Sequence, residues 1–282
     1  MVKIVIIGSN GMLGSRFLSD RSKDDYITGI DYPDMDIRNM ESIKSLLLEI
    51  KPHIVINCAA FTDVDKCEIM KDESYAVNGE GPGNIAKVCN EIDAVLVHFS
   101  TDYVFDGLKK TAYCEDDIPN PLSIYGKSKL VGEMNVRRFC SKYFIIRTAW
   151  LYGENGKNFV RTIVAAADKN PSLKVVADQL GSPTYTKDLV EISKKLIKTE
   201  KYGTYHVTNE GSCSWYEFAG AIFSFLDKQV SVAPCSTDEY PRPASRPKSG
   251  ILSKSKINSL DIYIRDWKDG LKEYLLNREI NL

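Results

Sequence analysis

Short apolar runs rich in Val and Ile recur through the first half of the chain, each followed by a longer stretch in which apolar and charged residues alternate at helical spacing. Residues 2–7, 26–31, 53–57, 94–100 and 143–148 are apolar along nearly their whole length, which predicts strands covered on both faces. Between them the spacing predicts helices over 12–19, 40–50, 72–92 and 122–139, the last opened by Asn120 and Pro121 as cap and first-turn residues. Strands alternating with helices in this way predict a Rossmann-type, doubly wound parallel sheet.

After Arg147 the pieces shorten. Helices are predicted at 158–168, 186–199, 215–226 and 265–276, and strands at 173–177, 205–207 and 231–233. Pro241, Pro243 and Pro247 make the stretch 239–247 a loop. The expected division is a dinucleotide-binding domain over 1–150 and a smaller C-terminal α/β lobe over 151–282, with some elements free to return to the first domain. No Gly/Ser-rich linker marks the seam, so the two are expected to pack tightly.

Composition narrows the setting. With 282 residues, 43% hydrophobic and 27% charged, the chain has the make-up of a folded globular protein. A formal net charge of −1 gives no electrostatic ground for a nucleic-acid or anionic-membrane partner. Seven cysteines, an odd number without a CxxC pair, read as reduced thiols in the cytoplasm. The three histidines lack metal-ligand spacing. Residues 1–7 run into Gly8 with no room for a secretory apolar region, and no apolar run reaches the length of a membrane span. The expectation is a cytoplasmic protein with no membrane partner.

Gly8-Ser9-Asn10-Gly11-Met12-Leu13-Gly14 directly follows the first predicted strand and opens the first predicted helix. There the missing side chains let backbone approach a pyrophosphate, and the helix N-terminus faces its charge. The spacing is GxxGxxG rather than the commoner GxGxxG, so its place at the start of a βαβ unit carries the reading; a plain glycine-rich turn is the alternative. Asp31, seventeen residues after Gly14, suits a ribose 2′-hydroxyl and hence NADH, whereas Arg16 suits the 2′-phosphate of NADPH. Both cofactors stay open.

Tyr125 and Lys129 stand four apart and share a helix face. Fifteen tyrosines among many basic residues make such pairs by accident, and Tyr143/Arg147 and Tyr274/Arg278 repeat the spacing. Position singles out the first pair, which falls between the fourth and fifth strands on the ligand side of a parallel sheet. A positive charge beside a phenol favours the phenolate and brings its pKa toward neutrality. Ser100 and Thr101 end the fourth strand, where a hydroxyl can hold a substrate oxygen beside that phenol. Together they form a proton-donating cradle for a carbonyl that receives hydride.

The chain carries these features in one order with Asn57-Cys-Ala-Ala-Phe-Thr-Asp-Val-Asp-Lys-Cys-Glu68, Ser100-Thr-Asp-Tyr-Val-Phe-Asp-Gly107, Arg147-Thr-Ala-Trp-Leu-Tyr-Gly153, Asp178-Gln-Leu-Gly-Ser-Pro-Thr184 and Arg242-Pro-Ala244. Over nearly its whole length it closely resembles the dTDP-4-dehydrorhamnose reductase family of the extended short-chain dehydrogenase/reductase superfamily. The resemblance implies NAD(P)H-dependent reduction of a nucleotide-linked keto sugar, the last step of dTDP-L-rhamnose synthesis. It implies Thr101, Tyr125 and Lys129 as the catalytic group, with Tyr125 the proton donor, Lys129 tuning it and holding the nicotinamide ribose, and Thr101 bonding the C4 carbonyl. Gly8, Asn10, Gly11, Met12, Leu13 and Gly14 would hold the cofactor phosphates. Asp31, Asp36, Ile37, Cys58, Ala59 and Ala60 would line its adenosine and ribose, and Thr62 and Asn78 would also face the cofactor. Thr62, Val64, Asp102, Tyr103, Trp150 and Gln179 would face the sugar nucleotide, with Arg242 at its diphosphate because a guanidinium fork matches phosphate; Arg246 and Lys248 could serve instead.

Two departures stand out. Some relatives place an acidic residue soon after the last glycine for a metal-bridged dimer; here Ser15 and Arg16 stand there, so magnesium is not expected and a monomer or weak homodimer is. Cys58 replaces a frequent alanine and remains a small apolar residue. The alternatives are a nucleotide-sugar epimerase or dehydratase of the same superfamily, or a non-catalytic NAD(P)-binding regulatory subunit. A dehydratase of this kind has Asp-Glu after the threonine, and here Tyr103 follows Asp102.

Overall fold

In the computed structural model, which describes residues 1–21 and 25–277, the chain begins with alternating strands and helices. They are β1 (Val2–Ile7), α1 (Met12–Ser19), β2 (Asp25–Ile30), α2 (Met40–Ile50), β3 (Ile54–Asn57), α3 (Val64–Ile69) and α4 (Lys71–Tyr75). A π turn over Ala76–Glu80 leads into α5 (Gly81–Glu91), followed by β4 (Val95–Thr101), α6 (Ile124–Phe139) and β5 (Tyr143–Thr148). The later elements are β6 (Leu151–Tyr152), α7 (Phe159–Lys169), β7 (Ser172–Val176), β8 (Leu180–Gly181), β9 (Thr184–Tyr185), α8 (Thr186–Ile197), β10 (Gly203–His206) and β11 (Cys213–Ser214). α9 (Trp215–Phe225), β12 (Ser231–Cys235), α10 (Ser255–Asn258) and α11 (Trp267–Leu276) complete the described chain. Arg278 of the Tyr274/Arg278 pair lies outside the described residues.

Six parallel strands form the main sheet in the order β10-β5-β4-β3-β1-β2. The order reverses between β1 and β3, so a crevice opens above their C-terminal ends, where sheets of this kind take ligands. Apolar layers cover both faces. Ile43, Leu47, Ile85, Cys89 and Val136 from α2, α5 and α6 pack on one side, and Leu13, Phe17, Leu189 and Leu196 from α1 and α8 pack on the other. A separate aromatic core of Tyr152, Tyr185, Phe218, Trp267 and Tyr274 organises the later elements. β10 and α8 come after residue 150 yet belong to the first sheet and its cover: β10 pairs with β5, and α8 packs on α1.

The predicted helix over 72–92 is broken by the π turn. Pro82 has no N–H to offer a regular turn, and the widened backbone lets α6 approach closely, since a Cβ on Gly132 would strike the Asn78 carbonyl. α6 starts at Ile124, capped by Ser123, whose hydroxyl accepts the Gly126 N–H at 3.2 Å. Asn120 is used elsewhere, donating from its backbone to Val104 and from its side chain to Asp106. α3, with six residues, is too short to show a helical period, although Asp63 caps it.

Beneath α6 lies a buried ion pair. Arg147, next to last in β5, is 1% exposed, and its Nε and Nη2 donate to the two oxygens of the fully buried Glu133 at 2.8 and 2.7 Å. Arg137 adds a third bond at 2.8 Å. His206 Nδ1 lies 3.1 Å from the Tyr113 carbonyl, the arrangement in which that nitrogen carries the proton and Nε2 accepts from Arg147 at 3.3 Å. Burial and the Arg147 charge push the imidazole down to about 3, so it stays neutral. Replacing Glu133 by Gln strands the Arg147 charge, and urea unfolding should report a loss of about 3–5 kcal/mol.

Candidate active site

The glycine turn is built by close backbone approach. Gly8 holds φ +76°, and a Cβ there would lie 2.6 Å from the Ala59 nitrogen; one on Gly14 would strike the Gly8 carbonyl. α1 has no side-chain cap at Gly11, which leaves its first N–H groups facing the crevice. Asp31 is held at the end of β2 by the Asn10 and Tyr32 N–H groups at 2.7 and 2.9 Å. A cavity of about 500 Å³ opens beside the turn, lined by Gly8, Gly11, Asp31, Asp36, Ile37, Cys58, Ala59 and Ala60. Size, a side-chain-free cradle and an oriented carboxylate fit a nicotinamide dinucleotide.

Asn10, Met12, Leu13 and Gly14 frame this turn without lining the cavity, Leu13 being part of the core. Asn78 is fully buried; its side chain clasps the Phe61 backbone at 2.8 and 2.9 Å and donates to Ser128 at 3.2 Å. Arg16 is turned away from the cavity toward Glu154, 3.5 Å distant. The cation that does line it is Arg38, which sequence reasoning passed over. Its guanidinium binds Asp36 at 2.7 Å and Glu73 at 2.8 Å and holds the Asp36 carboxyl below the usual range.

At the C-terminal edge of the sheet β4 delivers Thr101, and α6 delivers Tyr125 and Lys129 one turn apart. Lys129 is 2% exposed and its Nζ donates to the Phe99 carbonyl at 2.6 Å. Burial lowers its pKa to about 8, opposed by the Glu133 charge one turn further along α6. Burial pushes the Tyr125 phenol up, with the Thr101 hydroxyl acting against it by hydrogen bonding and the Asp102 charge adding to it. This corrects the expectation that Lys129 tunes the phenol downward. The ammonium is directed at the Phe99 carbonyl, and desolvation dominates the shift of the phenol.

Asp102 is 3% exposed and accepts from Thr101 Oγ1 at 3.0 Å, while the Tyr103 N–H donates to the same hydroxyl at 3.2 Å. Burial pushes this carboxyl to about 7. The Tyr103 ring meets that of Tyr125 edge-on at 5.6 Å and forms a wall of a second cavity, of about 700 Å³. Phe159, Gln179, Trp215, Tyr240, Arg242 and Arg246 also line it. Gln179 donates to Thr237 at 3.0 Å. Trp150, at φ +48°, stacks flat on Trp215 at 3.5 Å and so stands behind that wall. Thr62 is exposed and Val64 opens α3; neither lines either cavity. Arg246 is paired with Asp65, whereas Arg242 lies over the Tyr240 ring at 4.6 Å. Trp215 and Tyr240 carry no sequence signal beyond being aromatic, because only folding brings them to the cavity. Among the described residues no group of three or more His, Cys, Asp or Glu is placed to hold a metal ion.

A dinucleotide cradle at the switch point of a parallel sheet, with a threonine, a tyrosine and a buried lysine at its edge, defines a nicotinamide-dependent oxidoreductase of the extended short-chain dehydrogenase/reductase type. Comparison with known proteins agrees. The chain belongs to the RmlD substrate binding domain family, which matches residues 2–279. It is 41% identical to the spore coat polysaccharide biosynthesis protein SpsK of Bacillus subtilis, covering 99% of this chain and 98% of that protein. It is 38% identical to a dTDP-4-dehydrorhamnose reductase of Aggregatibacter actinomycetemcomitans, over 96% and 98% of the two chains. The crystal structure of dTDP-4-dehydrorhamnose reductase from Bacillus anthracis in complex with NADP superposes with a TM-score of 0.96 at 42% identity, covering 98% of this chain and 99% of that one. A Thermus thermophilus UDP-glucose 4-epimerase, 19% identical at a TM-score of 0.83, shares the fold.

The Asp102 carboxyl gives a signed pH effect. Its folded pKa of about 7 lies above the ordinary 3.8, so the folded protein holds a proton that the unfolded chain has released. That contribution is complete below the ordinary carboxylate range and is lost as pH rises through about 7. Asp102→Asn, which mimics the protonated form, should raise the melting temperature relative to wild type at pH 8 and lose that advantage at pH 4. An advantage independent of pH would show that the carboxyl titrates normally.

Proposed function

We propose that this chain reduces the C4 keto group of dTDP-4-dehydro-L-rhamnose to dTDP-L-rhamnose with NADPH or NADH, the last step of dTDP-rhamnose synthesis. The observation that carries this reading is the position of Tyr125. On one side the Lys129 charge acts on Cys58, which lines the dinucleotide cavity; on the other Tyr103 packs on the phenol and walls the second cavity. A proton donor there reaches a carbonyl held between the two.

A dihydronicotinamide held at the glycine turn and by Lys129 would supply the hydride that C4 receives. Tyr125 donates its proton to the developing alkoxide, and its raised pKa keeps the phenol protonated before reaction at neutral pH. Thr101 Oγ1 accepts from the Tyr103 N–H and donates its one proton to Asp102; when substrate enters, that proton turns from Asp102 to the carbonyl oxygen and orients it beside the phenol. Lys129, locked on the Phe99 carbonyl, keeps two further N–H donors for the nicotinamide ribose and a positive charge beside the phenolate formed in the reaction. Gln179 and Arg242 take the sugar nucleotide in the second cavity. Residues 1–150, extended by α8 and β10, serve the cofactor, and the remaining residues mainly serve the sugar nucleotide. Ser15 and Arg16, standing where an acidic residue would serve a metal-bridged dimer, support a monomer or weak homodimer that works in the cytoplasm without magnesium.

Tyr103 in place of the dehydratase glutamate favours reduction over the superfamily's dehydrations. Purified protein supplied with dTDP-4-dehydro-L-rhamnose should oxidise one NADPH per sugar reduced; an epimerase or dehydratase would show no net oxidation, and a regulatory subunit no turnover. Tyr125→Phe should lower kcat by about 10²–10⁴-fold, with the cofactor Kd from fluorescence quenching unchanged because the lost hydroxyl acts in the transition state. Near-normal turnover in that variant would remove Tyr125 as the donor.

A further inference from the structure

The loop 239–247 forms one wall of the second cavity through Tyr240, Pro241, Arg242, Ala244, Ser245 and Arg246. Its ends are fixed. Thr237 is bound to Asp178 through its backbone and hydroxyl at 2.9 and 2.7 Å, and beyond the loop the Lys248 carbonyl accepts the Leu180 N–H at 2.8 Å. Between those anchors Pro241, Pro243 and Pro247 have no N–H, so a backbone ladder cannot secure the segment.

What secures it is one carboxylate. Asp65, in the first turn of α3, accepts the Ala244 N–H at 3.2 Å and both terminal nitrogens of Arg246, at 3.1 and 3.0 Å. Arg246 closes the loop on itself by donating to the Ala244 carbonyl at 2.9 Å. Apart from a bond between Arg246 and the Tyr103 phenol, these are, among the described residues, the hydrogen bonds that tie 241–247 to the half of the molecule carrying Tyr125. The paired side chains are 19% and 26% exposed, so the contact can part without stranding a charge in the core. Arg246 also hydrogen-bonds the Tyr103 phenol, whose ring abuts Tyr125. With Arg246 neutralised by Asp65, Arg242 is the loop cation left for an anion in the cavity.

We propose that Asp65 and Arg246 are positioning residues whose ion pair straps the loop 239–247 across the cavity and sets Arg242 over the diphosphate of the sugar nucleotide. The proposal rests on assigning that cavity to the sugar nucleotide. The pair touches neither the reacting carbonyl nor the dinucleotide cavity, so its loss weakens ground-state and transition-state binding alike.

The test compares wild type, Asp65→Asn, Arg246→Gln, Arg242→Ala and the exchanged pair Asp65→Arg/Arg246→Asp. Isothermal titration with dTDP reads the cavity without turnover, fluorescence quenching reads NADPH, and steady-state assays separate KM from kcat. Either single strap variant should raise the dTDP Kd and the sugar-nucleotide KM about tenfold, since a loosened loop must be ordered on binding. Asp65→Asn, at a residue that lines neither cavity, should keep kcat within about threefold of wild type and the NADPH Kd unchanged, and the exchanged pair should recover part of the loss. Adding Arg242→Ala to Asp65→Asn should cost less than the two separate effects combined. A dTDP Kd within about twofold of wild type in Asp65→Asn, or an equal loss of NADPH affinity, overturns the strap. If wild type binds dTDP but reduces no keto sugar, the titration still decides the strap while the proposed reaction falls; if it binds no dTDP, both fall.

Discussion

The site depends on α6 being held against the sheet at one height and one rotation, and the Glu133–Arg147 pair does this. Apolar contacts such as Val136 hold a helix to a sheet but allow it to slide, whereas a bidentate pair with oxygens at 2.8 and 2.7 Å permits one register. Lys129 lies one turn before Glu133 and Tyr125 one turn before Lys129, so fixing the glutamate to the end of β5 fixes the lysine against Phe99 and the phenol beside Thr101. A buried pair gives little net stability, because desolvation offsets most of its attraction. Its value here is specificity of placement. Glu133 also supplies the negative charge that offsets part of the burial penalty on Lys129.

Burial then orders the proton chemistry. It moves the ionisable groups around the reacting position away from their charged forms: the phenol up, the ammonium down to about 8 and the Asp102 carboxyl up to about 7. The phenol therefore starts with its proton in place. Negative charge appears on it only after transfer, and Lys129 is the cation that α6 carries one turn further along. A hydrogen-bonded run from Asp102 through Thr101 reaches the same phenol, so the polarity of the Thr101 hydroxyl follows the protonation state of a carboxyl poised near neutrality.

Much of this was legible in the residues. Strands covered on both faces are apolar throughout, so β1 and β5 coincide with their predicted limits, β3 differs by one residue at one end, and β2 and β4 are displaced by one residue at both ends. The glycine turn and the Tyr125/Lys129 pair are local patterns whose partners lie within a turn or two of chain. Legibility fails where a feature is made by distant segments. The π turn at Ala76–Glu80 answers to the approach of α6, and the role of Arg147 requires Glu133 fourteen residues earlier and His206 fifty-nine later. The direction of the Tyr125 shift was misread because spacing reports the neighbouring charge but is silent on desolvation, the larger effect. Arg38 was missed for the same reason: its partner Glu73 lies thirty-five residues away.

The second cavity shows the same principle in its strongest form. Tyr103 comes from the end of β4, Phe159 from α7, Gln179 from the stretch before β8, Trp215 from the start of α9, and Arg242 from an irregular loop. A cofactor that presents the same phosphates and rings to many enzymes can be held by one short turn, and that turn reads as a motif. A sugar nucleotide must be distinguished from many similar molecules, which calls for contacts around its whole length from elements that no single spacing connects. Such a wall needs a fastening between its pieces, and in this chain the partly exposed ion pair from α3 to the proline loop is the one proposed to supply it. Strength is concentrated under α6, where placement must be permanent, and withheld at the loop, where a substrate has to enter and leave.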